Sequence, residues 1–132
     1  MDERRTQLVE VARATDVPEK GGLRVKVGSV EIGLFRSDDG FFAIENACPH
    51  AGVPLSQGDV KDCIVTCPAH GFQYDLRTGY AADGADGFPI PRFAVTLRGE
   101  SLFIEAACDE DGQLGPRPLR RLPPPPAADA GN

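Results

Sequence analysis

A chain of 132 residues, 41% hydrophobic and 26% charged, has room for one domain around a single modest core. Its 20 acidic and 14 basic residues leave a net charge of −6, which argues against nucleic acid or an anionic membrane as partner, since both need a basic footprint. Fifteen glycines and twelve prolines point to short strands joined by many turns rather than to long helices.

The start of the chain, Met1 to Gln7, carries an arginine pair but no apolar stretch of signal-peptide length comes after it, and runs such as Phe41 to Ile44 are too short to span a bilayer. A cytoplasmic protein is the expectation. Gln7 to Val11 reads as an opening strand, and Asp16-Val17-Pro18-Glu19 as a capped helical turn. Leu23, Val25 and Val27 alternate with Arg24 and Lys26, and Val30, Ile32 and Leu34 repeat the pattern, so two strands with one apolar face each are expected. The Ser37-Asp38-Asp39-Gly40 turn leads into a third strand over Phe41 to Ile44.

Residues 46–58 and 67–71 are loop-like, separated by a short strand at Ile64-Val65-Thr66 and succeeded by another from Phe72 to Asp75. A turn at Leu76 to Gly79 comes next. A final hairpin carries Phe93, Val95 and Leu97, a turn at Gly99-Glu100, then Leu102 and Ile104. These elements make a small all-β domain over residues 1–108, an antiparallel β barrel or sandwich with two long central loops. From about Asp109 half of all the prolines crowd between Pro116 and Pro126, so 109–132 reads as a disordered, proline-rich tail outside the domain.

Both histidines of the chain come closely after a cysteine, as Cys48-x-His50 and Cys67-x-x-His70. In a reducing compartment clustered cysteines are better read as metal ligands than as disulfides. Two thiolates and two imidazoles suit a tetrahedral zinc ion, and they equally suit a [2Fe–2S] centre in which two histidines replace two cysteines on one iron. Zinc fingers usually group cysteine with cysteine and histidine with histidine. Here each loop supplies one of each, an order that fits a two-metal cluster pinched between two loops better. Cys63, four residues before Cys67, reads as a buried apolar cysteine, and Cys108 as unimportant to the site.

The run Cys48-Pro-His50-Ala-Gly-Val-Pro-Leu55, then Gly58, then Cys67-Pro-Ala-His70-Gly71-Phe72-Gln-Tyr74-Asp75 and Thr78-Gly79 resembles the Rieske iron–sulfur domain family, over about residues 7–106. The resemblance implies a β domain with one [2Fe–2S] cluster at its tip. Cys48 and Cys67 would hold one iron, and His50 and His70 the other, near solvent. It further implies Gly52, Gly71, Phe72, Tyr74 and Pro89 as the surroundings of the cluster, Pro89 through a proline-containing loop at Phe88-Pro89-Ile90-Pro91. The branch found in respiratory and photosynthetic cytochrome complexes has two further loop cysteines, a membrane anchor and a serine after the second loop's glycine. Val53, Ala69 and Phe72 stand at those loop positions here. The closer likeness is to the soluble Rieske ferredoxins of bacterial ring-hydroxylating oxygenases.

The role this likeness implies is that of a one-electron carrier between a flavoprotein reductase and a terminal oxygenase. The chain would be no enzyme by itself, because the sequence has no flavin, nicotinamide or nucleophile motif. Two alternatives stand beside it. One is the Rieske-like small subunit of an assimilatory nitrite reductase, partnered by that enzyme's large subunit. The other is a zinc-stapled binding module without redox work. With no serine hydroxyl at position 72 and a net charge of −6, a potential in the low half of the Rieske range of roughly −150 to +300 mV is expected, raised somewhat by Tyr74. The uncharged residues around the ligands (Pro49, Ala51, Val53, Pro54, Pro68, Ala69 and Phe72) are expected to shield the cluster and to form an apolar docking tip.

Overall fold

The computed structural model describes residues 6–37, 40–48, 52–69, 71–82, 89–108 and 112–119. Within them the chain runs β1 (Thr6–Arg13), a 3₁₀ turn (Ala14–Asp16), β2 (Gly22–Val27), β3 (Val30–Ser37), β4 (Gly40–Glu45), a second 3₁₀ turn (Leu55–Gln57), β5 (Val60–Lys61), β6 (Ile64–Thr66), β7 (Gln73–Asp75), β8 (Arg92–Phe93), β9 (Val95–Arg98), β10 (Ser101–Cys108) and β11 (Leu114–Pro116). All pairings are antiparallel and give three sheets: β1-β10-β11 with β9 also on β10, β2-β3-β4-β8, and β5-β6-β7. The all-β antiparallel expectation holds, in the form of a layered sandwich.

The alternating apolar residues explain the pairing. Leu23 lies opposite Leu34, Val25 opposite Ile32 and Val27 opposite Val30, so the two apolar faces meet residue by residue. Ile32, Leu34 and Ala43 of the middle sheet pack against Leu102, Ile104 and Ala106 of β10 to form the first core. Each fully enclosed leucine or isoleucine there contributes about 1.5–3 kcal/mol relative to an exposed one.

β3 and β4 are covered on their other face as well. Phe35 and Ile44 enter a second core with Leu55, Val65, Tyr74, Leu76 and Ile90. Ile32 to Phe35 are therefore enclosed in succession rather than alternately. Gly33 faces this second layer at a point with no room for a side chain: a Cβ there would sit 2.9 Å from the Phe35 ring and 3.3 Å from Asn46 Oδ1.

Three features depart from the sequence reading. The early helical turn occupies Ala14–Asp16 rather than 16–19, with Arg13 N–H donating to Asp16 Oδ2 at 3.0 Å. Val17 precedes a proline and is held extended at φ −87°, ψ 120°, which ends the turn there. β5 has no counterpart in the sequence pattern; with Lys61 opposite Ile64 it makes a two-residue hairpin whose Asp62 and Cys63 both have positive φ, 56° and 66°. This is type I′ geometry, which Asn-Gly would usually fill. Cys63 is buried, as expected, with its Sγ 3.0 Å from Ser37 Oγ.

The third departure lies in the range expected to be tail. Leu114–Pro116 pair with Ala106 to Cys108, Arg117 N–H donates to Glu105 O at 2.9 Å, and Leu119 N–H to Arg92 O at 2.7 Å. β9 covers only Ser101 to Ile104 of β10 and leaves the rest of that edge open. The segment fills it with Pro116 and Pro118 at alternate positions, so the missing proline N–H groups do not fall where Arg117 and Leu119 must donate. Residues 120–132 lie outside the described residues. Among the described residues no helix is long and apolar enough to cross a membrane.

Candidate metal centre

The two expected ligand loops share one backbone frame. In the first, Cys48 N–H donates to Val53 O at 2.9 Å and Gly52 N–H donates to Cys48 O at 2.7 Å. In the second, Cys67 N–H donates to Phe72 O at 2.7 Å and Gly71 N–H to Cys67 O at 2.9 Å. Both loops read Cys-Pro-x-x-Gly, and both glycines are left-handed, with φ of 70° at Gly52 and 77° at Gly71. That conformation is open to glycine at no steric cost, and it turns the chain back so the cysteine's own N–H and C=O close the loop.

The thiols end up enclosed. Cys48 and Cys67 are each 1% exposed, both within the second core, and no disulfide joins any of the four cysteines. The Tyr74 hydroxyl, on β7, lies 3.8 Å from Cys48 Sγ, in reach to donate to a thiolate there. Phe72 packs against the same cluster from the loop side, and Leu55, Val65, Leu76 and Ile90 complete the apolar wall.

Two buried cysteines held in matched turns, each with a histidine two or three residues on, are what two loops gripping one bimetallic centre require. The chain matches the Rieske [2Fe-2S] domain model over residues 7–93. It belongs to the Rieske [2Fe–2S] domain family. The 3-phenylpropionate/cinnamic acid dioxygenase ferredoxin subunit of Escherichia coli K12 is 34% identical over 91 residues, covering 68% of this chain and 85% of that protein. A chain in the structure of the complex of reduced oxygenase and oxidized ferredoxin in carbazole 1,9a-dioxygenase superposes with a TM-score of 0.66 at 28% identity, over 74% of this chain and 91% of the other. A chain from Mycobacterium tuberculosis described as an NADH-dependent nitrite reductase small subunit has the same fold, with a TM-score of 0.67 at 22% identity over 82% of this chain and all of its own. The chain is thus a Rieske electron carrier with one [2Fe–2S] cluster.

The donor chemistry fits that cofactor. Two enclosed thiols outside any disulfide can serve as thiolates to one iron without exposing sulfur to water. His50 and His70 lie outside the described residues, as do Pro49, Ala51 and Phe88. Of the expected surroundings, Tyr74 and Phe72 pack with the thiols, while Gly52 and Gly71 close their turns. Pro89 lines a surface cavity of about 270 Å³ with Thr78, Pro118 and Leu119. Its neighbour Ile90 packs in the second core, with its N–H donating to Gly79 O at 2.8 Å. An isoleucine between two prolines was a legible signal for this. Pro68 and Ala69 are exposed, and Val53 and Pro54 half-buried, on the surface of the ligand loops.

Sequence reasoning missed Asn46 and Ser56. Among the described residues Asn46 is the one buried side chain with an amide or a charge, 4% exposed, and it bonds twice to Ser56. A polar residue two positions before a ligand cysteine reads as loop, and nothing in its spacing marks it as enclosed.

Proposed function

We propose that this Rieske protein takes single electrons from a flavoprotein reductase and delivers them to a terminal oxygenase, with Cys48 and Cys67 on the inner iron and His50 and His70 on the outer one. The observation that carries the reading is the pair of matched Cys-Pro-x-x-Gly turns whose cysteines are enclosed, in a chain 34% identical to a dioxygenase ferredoxin subunit. When bound, the cluster supplies one reversible electron. The residues of this chain do the rest: Leu55, Val65, Leu76 and Ile90 exclude water from the thiolate side, and the Tyr74 hydroxyl donates toward Cys48 Sγ. The loop surface at Val53, Pro54, Pro68 and Ala69 is uncharged and suits a short-range contact at the histidine end, on a chain of net charge −6.

Catalysis then belongs to the partners, and this chain by itself turns over no substrate. Four cysteines outside disulfides agree with a reducing compartment, hence the cytoplasm. The nitrite reductase reading rests on a likeness of fold at 22% identity, and the oxygenase reading is better supported.

Electron paramagnetic resonance of the dithionite-reduced protein, with iron and sulfide assays, tests the assignment. A rhombic signal with average g below the free-electron value and two irons per chain is expected, with a potential in the low half of the Rieske range. A colourless protein with one zinc would remove the electron-carrier function. Stable co-purification with a large reductase subunit would move the partner to the nitrite reductase class.

A further inference from the structure

Strand pairing closes the second ligand loop, whereas the first has no such closure. Thr66 and Gln73, which bracket Cys67 to Phe72, are partners in the β6–β7 ladder. The first loop leaves β4 at Glu45 and runs into the 3₁₀ turn Leu55–Gln57, so no ladder joins its two ends. Asn46 and Ser56 stand at those ends. Asn46 Oδ1 accepts the Ser56 N–H at 2.7 Å, and Asn46 Nδ2 donates to Ser56 Oγ at 3.0 Å. The two contacts run side by side, one to backbone and one to side chain, like the rungs of a strand pair. Asn46 is itself fixed to the middle sheet, its N–H donating to Glu31 O at 3.0 Å.

We infer that Asn46 is a positioning residue for the cluster: its amide replaces the missing ladder at the base of the first ligand loop and so holds Cys48 in its turn. Cys48 is two residues from Asn46, and its turn closes on Val53, three residues before Ser56. With the amide cut away, the Ser56 N–H loses its acceptor, and the loop gains freedom at both ends while β3, β4 and the first core keep their contacts. The expected consequence is local: Cys48's side of the cluster is released more readily, without unfolding of the domain. This rests on the Rieske reading of Cys48.

The test uses full-length holoprotein of the wild type, Asn46→Ala, Asn46→Asp, Ser56→Ala and the Asn46→Ala/Ser56→Ala double variant. Loss of the visible band in excess iron chelator is timed at a temperature where far-ultraviolet circular dichroism is native. Asn46→Ala should bleach at least tenfold faster than wild type, and Ser56→Ala faster by a smaller factor, because it keeps the backbone rung. The double variant should bleach no faster than Asn46→Ala, since both act on one contact. Asn46→Asp should recover most of the wild-type rate, because a carboxylate accepts from the Ser56 N–H and from its rotated hydroxyl. If Asn46→Ala takes up no cluster, the Ser56→Ala and Asn46→Asp rates decide. Wild-type bleaching in the two alanine variants, independent effects in the double variant, or bleaching that only accompanies global unfolding would each overturn the positioning role. Wild-type protein without iron would instead overturn the cofactor assignment and the positioning role with it.

Discussion

The two proposed ligand loops are alike where they hold the cysteine and different where they are held themselves. Both place the cysteine N–H on the carbonyl five residues on, and both bring the glycine N–H back to the cysteine carbonyl. One hangs from a hairpin, with Thr66 opposite Gln73; the other hangs between a strand and a 3₁₀ turn, tied by the Asn46 amide. The ligand turn is thus a portable unit written in Cys-Pro-x-x-Gly, whereas its attachment to the scaffold is solved separately for each loop. Changes inside the turn should affect both loops equally, and changes at the base should not.

The largest expected effect is symmetric. Cys48→Ser and Cys67→Ser should each abolish the rhombic signal and leave well under two irons per chain, because an iron with one thiolate removed is not retained. A variant of either that kept a full cluster would break the equivalence of the loops. Next comes the turn glycine. Gly52→Ala and Gly71→Ala both place a Cβ in the left-handed region, at φ 70° and 77°. Each should lower the stability of the holoprotein by about 1–2 kcal/mol. Chemical denaturation of the two variants side by side measures this, and unequal losses would show that the base of the loop also governs the cost of straining its turn.

Much of this architecture was legible in the chain. The Leu23/Val25/Val27 and Val30/Ile32/Leu34 alternations are opposite each other in the structure, because one face of each strand has to be buried. Phe35 broke that alternation, and its burial depends on a second layer, made by β5–β7, that local pattern does not announce. β5 and its turn were hidden because Asp62-Cys63 lacks the glycine that usually marks a type I′ hairpin. β11 was hidden by its prolines, which read as tail until the open edge of β10 gives them a partner. At the site, the Cys-x-His and Cys-x-x-His spacing pointed to the two loops whose cysteines are enclosed together, and the proposed ligand set rests on it. Asn46 was invisible because a buried amide is defined by what closes over it, here Gly33 and Ser56, and neither is near it in a periodic pattern.

A smaller asymmetry concerns the sulfurs. The Tyr74 hydroxyl lies 3.8 Å from Cys48 Sγ, where it can donate to a thiolate, while no side-chain hydrogen bond to Cys67 Sγ is found among the described residues. A hydroxyl donor stabilises the more negative reduced state, so Tyr74→Phe should lower the potential. At 3.8 Å to sulfur the contact is long, and a net worth of about 0.5–1.5 kcal/mol converts to about 20–60 mV for one electron. Redox titration of the variant beside the wild type measures it. An unchanged potential would mean that the hydroxyl serves packing alone, and that the two sulfurs are electronically equivalent despite their different neighbours.

The smallest expected effect is the one that separates the two loop bases most directly. Gln73 Nε2 donates to Thr66 Oγ1 at 3.3 Å, a side-chain contact placed at the base of the second loop much as the Asn46 amide is placed at the first. Yet it is exposed, long and redundant, because the backbones of Thr66 and Gln73 are already ladder partners. Gln73→Ala should therefore cost less than about 0.5 kcal/mol and leave the rate of chelator bleaching unchanged. A side chain matters at a loop base only where the backbone has no partner of its own. Bleaching of Gln73→Ala as fast as that of Asn46→Ala would mean that any slackening near a ligand turn releases the cluster, whatever the ladder beneath it.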